Sequence, residues 1–276
     1  MASDPVLPVD EYNKATFTYK VIEGQPILLD LLVPKSLPSG ELPVLIRFHG
    51  GFLVYGSRDN LQLTPPRILE YVIENNTILV SCDYRLLPES TGLEILEDIE
   101  DVWSWVQSSL SEAMGTMTNG KSRADLGRVL VAGESAGGYL AIQLAFRHPT
   151  AFRAVIASYP TIDMRSDHFC KAYPKRMGLY PQLDYELVSQ HLKQLPDGST
   201  RAISNLPIAM VQHGTYTSFF GEHRNLFPIE QLEDNPQLAL ELPFIWLHHG
   251  FWSEINLIQS GEWEEGVKVL NTYLYN

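Results

Sequence analysis

A serine between two glycines is the clearest chemical signal in this sequence. Gly133, Ser135 and Gly137 follow an apolar run at residues 128–132 and precede a helical pattern at 136–147. The glycines let the chain turn sharply without Cβ clashes. The serine hydroxyl then stands at a helix N-terminus, where N–H groups and the helix dipole favour developing negative charge. This placement predicts that Ser135 is a nucleophile on a strand-to-helix turn.

A pair of glycines after an earlier apolar run could bind the oxygen that becomes charged during a reaction at Ser135. Gly50 and Gly51 follow His49 at the end of the run 44–48, and glycines let the main chain approach a substrate carbonyl closely. The N–H groups of Gly50, Gly51 and Ala136 are therefore predicted to receive the oxyanion of a tetrahedral intermediate. An ordinary Gly-Gly turn is the alternative interpretation.

Strand and helix patterns alternate along the chain and indicate what must position these groups. Near-continuous apolar strands separated by helices predict an α/β fold with a mostly parallel central sheet, helices on both faces and an N-terminal hairpin. Strands are predicted at residues 16–22, 27–33, 44–48, 77–82, 128–132, 154–158, 208–212 and 244–248, and helices at 93–110, 136–147 and 262–273.

The domain organisation follows from the same patterns. Residues 1–276 are predicted to form a single domain, because α/β folds of this length commonly stay undivided. A segment at about 163–206 carries several prolines around short helical pieces and lies between two predicted strands. We expect this segment to form a lid over the active site.

Composition excludes several classes of function. The net charge of −13, from 20 basic and 33 acidic residues, predicts no binding to nucleic acid or to anionic membranes. No apolar run is long enough for a membrane-spanning helix, and the N-terminus has no signal-peptide pattern. Two cysteines supply neither a disulfide framework nor a zinc site, and no cofactor fingerprint or metal-ligand cluster occurs. The expectation is a soluble, cytoplasmic enzyme without metal or cofactor.

Four motifs in order resemble one known family. They are His49 to Phe52, the segment Asp-Tyr-Arg-Leu-Leu-Pro-Glu at 83–89, the serine turn at 133–138, and His-Gly-Phe at 249–251. Together they resemble the hormone-sensitive-lipase-like branch of the α/β-hydrolase family of esterases, from about residue 43 to the C-terminus. The resemblance implies the α/β-hydrolase fold, with Ser135 as nucleophile and His249, rather than His248, as the base.

The sequence departs from this family at two positions. Phe52 stands where a third glycine is usual, and we expect its ring in the pocket wall. Thr217 stands where the family carries the aspartate of the catalytic triad, and a threonine cannot stabilise an imidazolium as a carboxylate does. Three possibilities stay open for the acid: Asp163 after the strand at 154–158, Glu222 on the loop of Thr217, or a serine–histidine dyad without an acid.

Three charged residues near these motifs are expected to be structural. Asp83 and Arg85 are interpreted as holding a buried turn through an ion pair or backbone hydrogen bonds. Glu134, beside the nucleophile, is interpreted as a buried hydrogen-bonding partner, with a catalytic role as the alternative.

These observations favour a carboxylic-ester-type hydrolase that cleaves an ester, thioester or lactone through an acyl-Ser135 intermediate. The alternative is a lyase-like enzyme of secondary metabolism, a dehydratase, cyclase or isomerase, which would use His249 and the oxyanion hole on a polyketide-like carbonyl compound. A binding protein on an inactive hydrolase fold is a third class. We expect a hydrophobic small-molecule substrate, because aromatic and apolar residues adjoin the motifs: Phe52, Leu53, Tyr139, Tyr159, Phe219, Phe220, Phe251 and Trp252.

Overall fold

A computed structural model describes residues 11–36, 39–162, 164, 166–194 and 205–220. The strands are β1 (Tyr12–Ile22), β2 (Gln25–Pro34), β3 (Gly40–Phe48), β4 (Ile78–Cys82), β5 (Ser122–Glu134) and β6 (Ala154–Ser158). The α-helices are α1 (Pro66–Glu74), α2 (Gly92–Ser108), α3 (Leu110–Thr118), α4 (Ala136–Arg147), α5 (Asp167–Cys170), α6 (Glu186–Gln194) and α7 (Leu206–Gln212). Two 3₁₀ helices, Leu61–Leu63 and Tyr216–Phe219, complete the described elements.

The described strands form one sheet in the order β1-β2-β4-β3-β5-β6. Strand β3 is parallel to both β4 and β5, and β6 is parallel to β5. Strand β2 is antiparallel to β1 and to β4, and the β1–β2 turn contains Glu23 and Gly24 at positive φ. The mostly parallel α/β sheet and the N-terminal hairpin are therefore confirmed.

Two apolar layers cover the sheet, which explains the near-continuous apolar strands. On β3, Val44 and Ile46 belong to the layer that contains residues of α2, α3 and α4. Leu45, between them, belongs to the opposite layer, which contains residues of α1. Because successive side chains of a strand point to opposite faces, a strand buried on both faces must be apolar throughout.

The helix predicted at 93–110 is divided in two. Helix α2 begins with a capping box, in which the Thr91 hydroxyl accepts the Glu94 N–H and the Glu94 carboxylate accepts the Thr91 N–H. It ends at Ser108, whose hydroxyl donates to the Ser104 carbonyl at 2.8 Å. Serine side chains compete in this way for backbone groups, and α3 begins after the break at Ser109.

The strand predicted at 208–212 is wrong, because these residues lie in helix α7. Pro207 occupies the first turn of α7, where its missing N–H costs nothing, and Gly214 follows the helix at a φ of +67°. Every residue of α7 is buried, so the helix has no exposed polar face that would mark its periodicity. A short apolar run of this kind is compatible with a buried strand and with a buried helix.

The described region C-terminal to β6 contains helices and loops but no named strand. We call residues 164, 166–194 and 205–220 the cap region; it contains α5, α6, α7 and the described part of the predicted lid. The predicted strand at 244–248 and the predicted helix at 262–273 lie outside the described residues. Within the described ranges, no helix has both the length and the apolar character needed to cross a membrane.

The topology brings three loops together. Strand β5 lies between β3 and β6, with Phe48 opposite Gly133 and Glu134 opposite Ser158. The three strands are parallel, so the loops that follow their carboxyl ends share one edge of the sheet. In open α/β sheets this edge is where ligands bind.

Candidate active site

Ser135 occupies the sharp turn between β5 and α4, as the sequence predicts. Its backbone has φ 53° and ψ −117°, a conformation that residues with a Cβ rarely adopt. The Ser135 N–H donates to the Ser158 carbonyl at 2.9 Å, and the Ser135 carbonyl accepts the Thr161 N–H at 3.0 Å. Strain of this kind persists only where neighbouring structure holds it, and it is common at catalytic residues.

The glycines flanking Ser135 are required by space. A Cβ on Gly133 would lie 2.1 Å from the Gly137 carbonyl oxygen, and one on Gly137 would lie 2.0 Å from the Phe48 carbonyl oxygen. Neither distance is compatible with a side chain. The turn is therefore packed against β3 through backbone atoms alone.

The loop after β3 carries further strain and passes close to the serine. Gly51, Phe52 and Leu53 all have positive φ, at 116°, 56° and 59°. Two hydrogen bonds hold this conformation: the Tyr216 hydroxyl donates to the Phe52 carbonyl at 2.6 Å, and the Leu87 N–H donates to the Leu53 carbonyl at 2.7 Å. The side chain of Phe52 is half-buried, and its ring meets that of Tyr216 edge-on.

One of the three predicted oxyanion donors is already engaged. The Gly50 N–H donates to the Glu134 carboxylate, with 3.2 Å between nitrogen and Oε1. The N–H groups of Gly51 and Ala136 have no such side-chain acceptor in the described part of the chain. The structure therefore separates Gly50 from the other two predicted donors.

Glu134 and Arg47 form a buried ion pair beneath the loop. The Arg47 guanidinium contacts Glu134 Oε1 and also donates to Ser81 Oγ and to the Asn60 carbonyl, both at 3.1 Å. Burial raises the pKa of the Glu134 carboxyl, and the positive charge of Arg47 acts in the opposite direction. The interpretation of Glu134 as a buried hydrogen-bonding partner is confirmed.

His49 is excluded as a general base by its surroundings. It is fully buried, its Nδ1 lies 2.7 Å from the Gly50 carbonyl oxygen, and its ring stacks on that of Tyr84 at 4.2 Å. Burial lowers the pKa of His49 to about 3, so the ring is neutral near pH 7. The Tyr84 hydroxyl donates to the His49 carbonyl at 2.6 Å and so fixes the start of the loop.

Asp83 and Arg85 are structural, as predicted, although they do not pair with each other. The Asp83 carboxylate accepts the Arg58 N–H at 2.7 Å and the Arg58 guanidinium at 2.6 Å. The Arg85 guanidinium binds Asp98 on α2 at 2.9 Å and also binds Glu94, while the Arg85 N–H donates to Asp98 at 2.8 Å. Burial raises the pKa of Asp83, while the charge and N–H of Arg58 lower it.

Thr217 lies in the 3₁₀ helix that follows α7 and is buried. Its hydroxyl forms a hydrogen bond with the Cys170 thiol, with 3.6 Å between oxygen and sulfur. The residues that would complete the predicted triad, His249 and the acid candidates Asp163 and Glu222, lie outside the described residues, as does His248.

One residue near Ser135 was missed by sequence reasoning. The Thr161 hydroxyl lies 3.5 Å from Ser135 Oγ, and only its position after β6, at this edge of the sheet, could have indicated it. Tyr159, which the sequence names as a pocket residue, has a φ of 38° and 60% of its surface exposed. Tyr159, with its strained backbone and exposed side chain, directly follows Ser158, whose carbonyl accepts the Ser135 N–H.

Most of the predicted pocket residues that are described pack in the core. Leu53, Tyr139, Phe219 and Phe220 are buried in the layer shared with α2 and α4. Phe251 and Trp252 lie outside the described residues. The described part of the chain contains no cluster of three or more side chains suited to bind a metal.

A strained serine on a strand-to-helix turn, at the carboxyl edge of a mostly parallel sheet, defines the class of proteins with a nucleophile elbow. Residues 45–212 match the profile of the family described as alpha/beta hydrolase fold. The chain therefore belongs to the α/β-hydrolase family.

Its relatives include two proteins that are named probable carboxylesterases. It is 30% identical over 256 residues to Probable carboxylesterase M8 of Phoma sp., covering 87% of this chain and 78% of the relative. It is 31% identical to Probable carboxylesterase clz11 of Cochliobolus lunatus, covering 64% of this chain and 84% of that relative.

Two other matches cover a smaller share of the matched protein. Non-reducing polyketide synthase Preu6 of Preussia isomera is 28% identical over 68% of this chain but only 8% of the synthase. The solved hyperthermophilic esterase of the archaeon Pyrobaculum calidifontis has a TM-score of 0.47 and 21% identity. That comparison covers 83% of this chain, which spans 59% of the archaeal esterase.

Proposed function

We propose that this protein is a carboxylic-ester hydrolase that works through an acyl-Ser135 intermediate. The observation that carries the proposal is the strained turn of Ser135, packed through backbone atoms against the glycine loop that follows β3. The carboxylesterases among its relatives support the same reaction class.

The reaction has two halves. In the first, Ser135 Oγ attacks the ester carbonyl carbon while its proton passes to His249. The tetrahedral intermediate collapses, the bond from carbon to the alcohol oxygen breaks, and the alcohol leaves with the proton held by His249. In the second, water attacks the acyl-Ser135 carbonyl and gives its proton to His249, and the carboxylic acid is released as the proton returns to Ser135.

The oxyanion of each intermediate is assigned to the N–H groups of Gly51 and Ala136. Gly50 belongs to the same loop, but its N–H already binds Glu134 at 3.2 Å, so we assign it to holding the loop. With Thr217 in the place of the acid, the charge that forms on His249 has no carboxylate from that position. Asp163, Glu222 and a serine–histidine dyad without an acid are the alternatives for the missing carboxylate.

The substrate class is a hydrophobic ester, including esters, thioesters or lactones of polyketide-like compounds. Tyr159, exposed beside the serine turn, and the half-buried ring of Phe52 supply apolar surface near the reacting carbonyl. The resemblance to a segment of polyketide synthases supports a polyketide-like acyl or alcohol group. The segment at 163–206 is assigned as the lid that covers this group.

Intact-mass spectrometry after exposure to a fluorophosphonate tests the proposal. We expect one phosphonyl group per molecule of wild type and none in Ser135→Ala. Ser104→Ala, at an exposed position of α2, is the matched control and should label like wild type. Hydrolysis of 4-nitrophenyl butyrate should follow the same pattern. A folded wild type that neither labels nor hydrolyses the ester, or a Ser135→Ala variant that still does, would contradict the proposal.

A further inference from the structure

We propose that Glu134 is a positioning residue for the oxyanion loop. Its carboxylate, fixed by Arg47, holds the Gly50 N–H and thereby sets the direction of the next N–H, that of Gly51. The inference rests on the proposed esterase function, because it assigns a role within the oxyanion hole of that reaction.

The Glu134 carboxylate joins groups that come from two neighbouring strands and from the loop between the first of them and α1. Glu134 is the last residue of β5, directly before Ser135, and Arg47 lies near the end of the neighbouring parallel strand β3. Glu134 Oε1 accepts both the Gly50 N–H and the Arg47 guanidinium. Through this one oxygen, the residue that precedes the nucleophile is bound both to strand β3 and to the loop that follows β3.

The ion pair is poorly explained by stability alone. Arg47 is inaccessible to solvent and Glu134 nearly so, and removing two charges from water often costs more than their attraction returns. The second carboxylate oxygen, Oε2, is buried and has no hydrogen-bond partner among the described residues. A carboxylate used only to stabilise the fold would be expected to satisfy both oxygens. What the pair does provide is an acceptor held in one position.

The loop has little freedom to adopt another position. A Cβ on Gly50 would lie 2.9 Å from the Glu134 carbonyl oxygen and 3.4 Å from Ser135 Cβ, so the loop rests directly on the serine turn. Oxyanion donors act at about 2.7–3.1 Å from the developing charge. A movement of the loop by less than an ångström would therefore remove the Gly51 N–H from that range.

Two single substitutions separate positioning from charge. Glu134→Gln keeps an oxygen acceptor at the same reach but removes the negative charge. Glu134→Asp keeps the charge but withdraws the acceptor by one methylene. If Glu134 positions the loop, the aspartate variant should lose more activity than the glutamine variant. If only the charge matters, the order should be reversed.

The experiment measures kcat and KM for 4-nitrophenyl butyrate and the inhibition constant of a trifluoromethyl ketone, which forms a tetrahedral oxyanion on serine. We expect Glu134→Asp to lose about 10²-fold in kcat with KM little changed, and Glu134→Gln to lose less than about tenfold. The ketone affinity should fall in proportion to kcat/KM. Glu112→Gln, an exposed carboxylate on α3, is the matched control.

Several outcomes would overturn the inference. They are an aspartate variant as active as wild type, a glutamine variant less active than the aspartate variant, or unchanged ketone affinity despite a reduced kcat. If the aspartate variant does not fold by circular dichroism, the parallel loss of kcat and ketone affinity in the glutamine variant decides. Failure of the esterase proposal itself is distinguishable, because wild type would then be inactive and unlabelled by the fluorophosphonate.

Discussion

The edge of the sheet that carries Ser135 and the cap region are held together in different ways. At the sheet edge, the backbone of β3, the serine turn and the start of α4 approach so closely that Gly133 and Gly137 have no room for a side chain, and strained residues are fixed by hydrogen bonds. In the cap region, Leu179 is fully exposed in a turn between Met177 and Tyr180, and a Cβ on the neighbouring Gly178 would meet nothing within 4 Å. The difference teaches that the geometry for chemistry is fixed by close backbone packing, whereas this turn of the cap region has room for a further side chain.

Alanine substitution of one glycine in each region should show the largest contrast. Gly137→Ala places a Cβ 2.0 Å from the Phe48 carbonyl oxygen, and we expect a loss of more than about 4 kcal/mol in unfolding free energy. Gly178→Ala meets open space and strains only its own positive φ, so about 1 kcal/mol is expected. Urea unfolding followed by tryptophan fluorescence measures both. Similar losses would show that the two regions are equally rigid.

Replacing one buried cation by methionine in each region should give the next contrast. Arg47→Met leaves the Glu134 carboxylate buried without its partner, which costs about 3–5 kcal/mol. Lys175 forms no ion pair among the described residues, its ammonium contacts two backbone carbonyls, and burial lowers its pKa. Lys175→Met leaves backbone carbonyls without this donor but no buried charge without its partner, so a smaller loss of about 1–3 kcal/mol is expected. The same unfolding assay applies, and a large loss at Lys175 would argue for a hidden partner.

The pH dependence of stability should be governed by a histidine at the sheet edge. The pKa of His49 is lowered by burial to about 3 from an ordinary value of 6.5, so between these values only the unfolded chain binds the proton. Stability is then fully present above pH 6.5 and falls by about 2 kcal/mol between pH 7 and pH 5.

His49→Gln should remove this part of the pH dependence. The comparison is His168→Gln, an exposed histidine of the cap region whose pKa is lowered by partial burial and by Lys175, and which should remove a smaller part of it. Unfolding free energies at pH 7 and pH 5 give the comparison. If the unfolding free energy falls equally between pH 7 and pH 5 in wild type and His49→Gln, groups other than His49 cause the loss of stability in acid.

Much of the fold could be predicted because each buried strand is an apolar run closed by turn residues. The strands around 44–48, 128–132 and 154–158 and the serine turn follow from such local patterns. The helix at 208–212 could not be told from a strand, because burial on all sides erases its periodicity.

The electrostatics of the site could not be predicted from the sequence. Arg47 is visible as an arginine within an apolar run, but its partner Glu134 is 87 residues away along the chain. Their contact depends on the pairing of β3 with β5, which no local pattern specifies. The engagement of Gly50 by Glu134 depends on the same pairing. The positive φ values of Phe52 and Leu53 likewise follow from tertiary hydrogen bonds, since these residue types do not favour that conformation.

The hydroxyl of Tyr216 limits how the cap region can be exchanged, both in evolution and by engineering. Tyr216 belongs to the cap region, yet its hydroxyl donates a hydrogen bond of 2.6 Å to the Phe52 carbonyl in the loop beside the nucleophile. Exchange of the cap region between related enzymes is therefore not free. A transplanted segment would have to bring its own donor to this carbonyl, or the loop would lose one of its anchors. New specificities are accordingly expected to arise by replacing residues around Tyr216 rather than by replacing the segment that contains it.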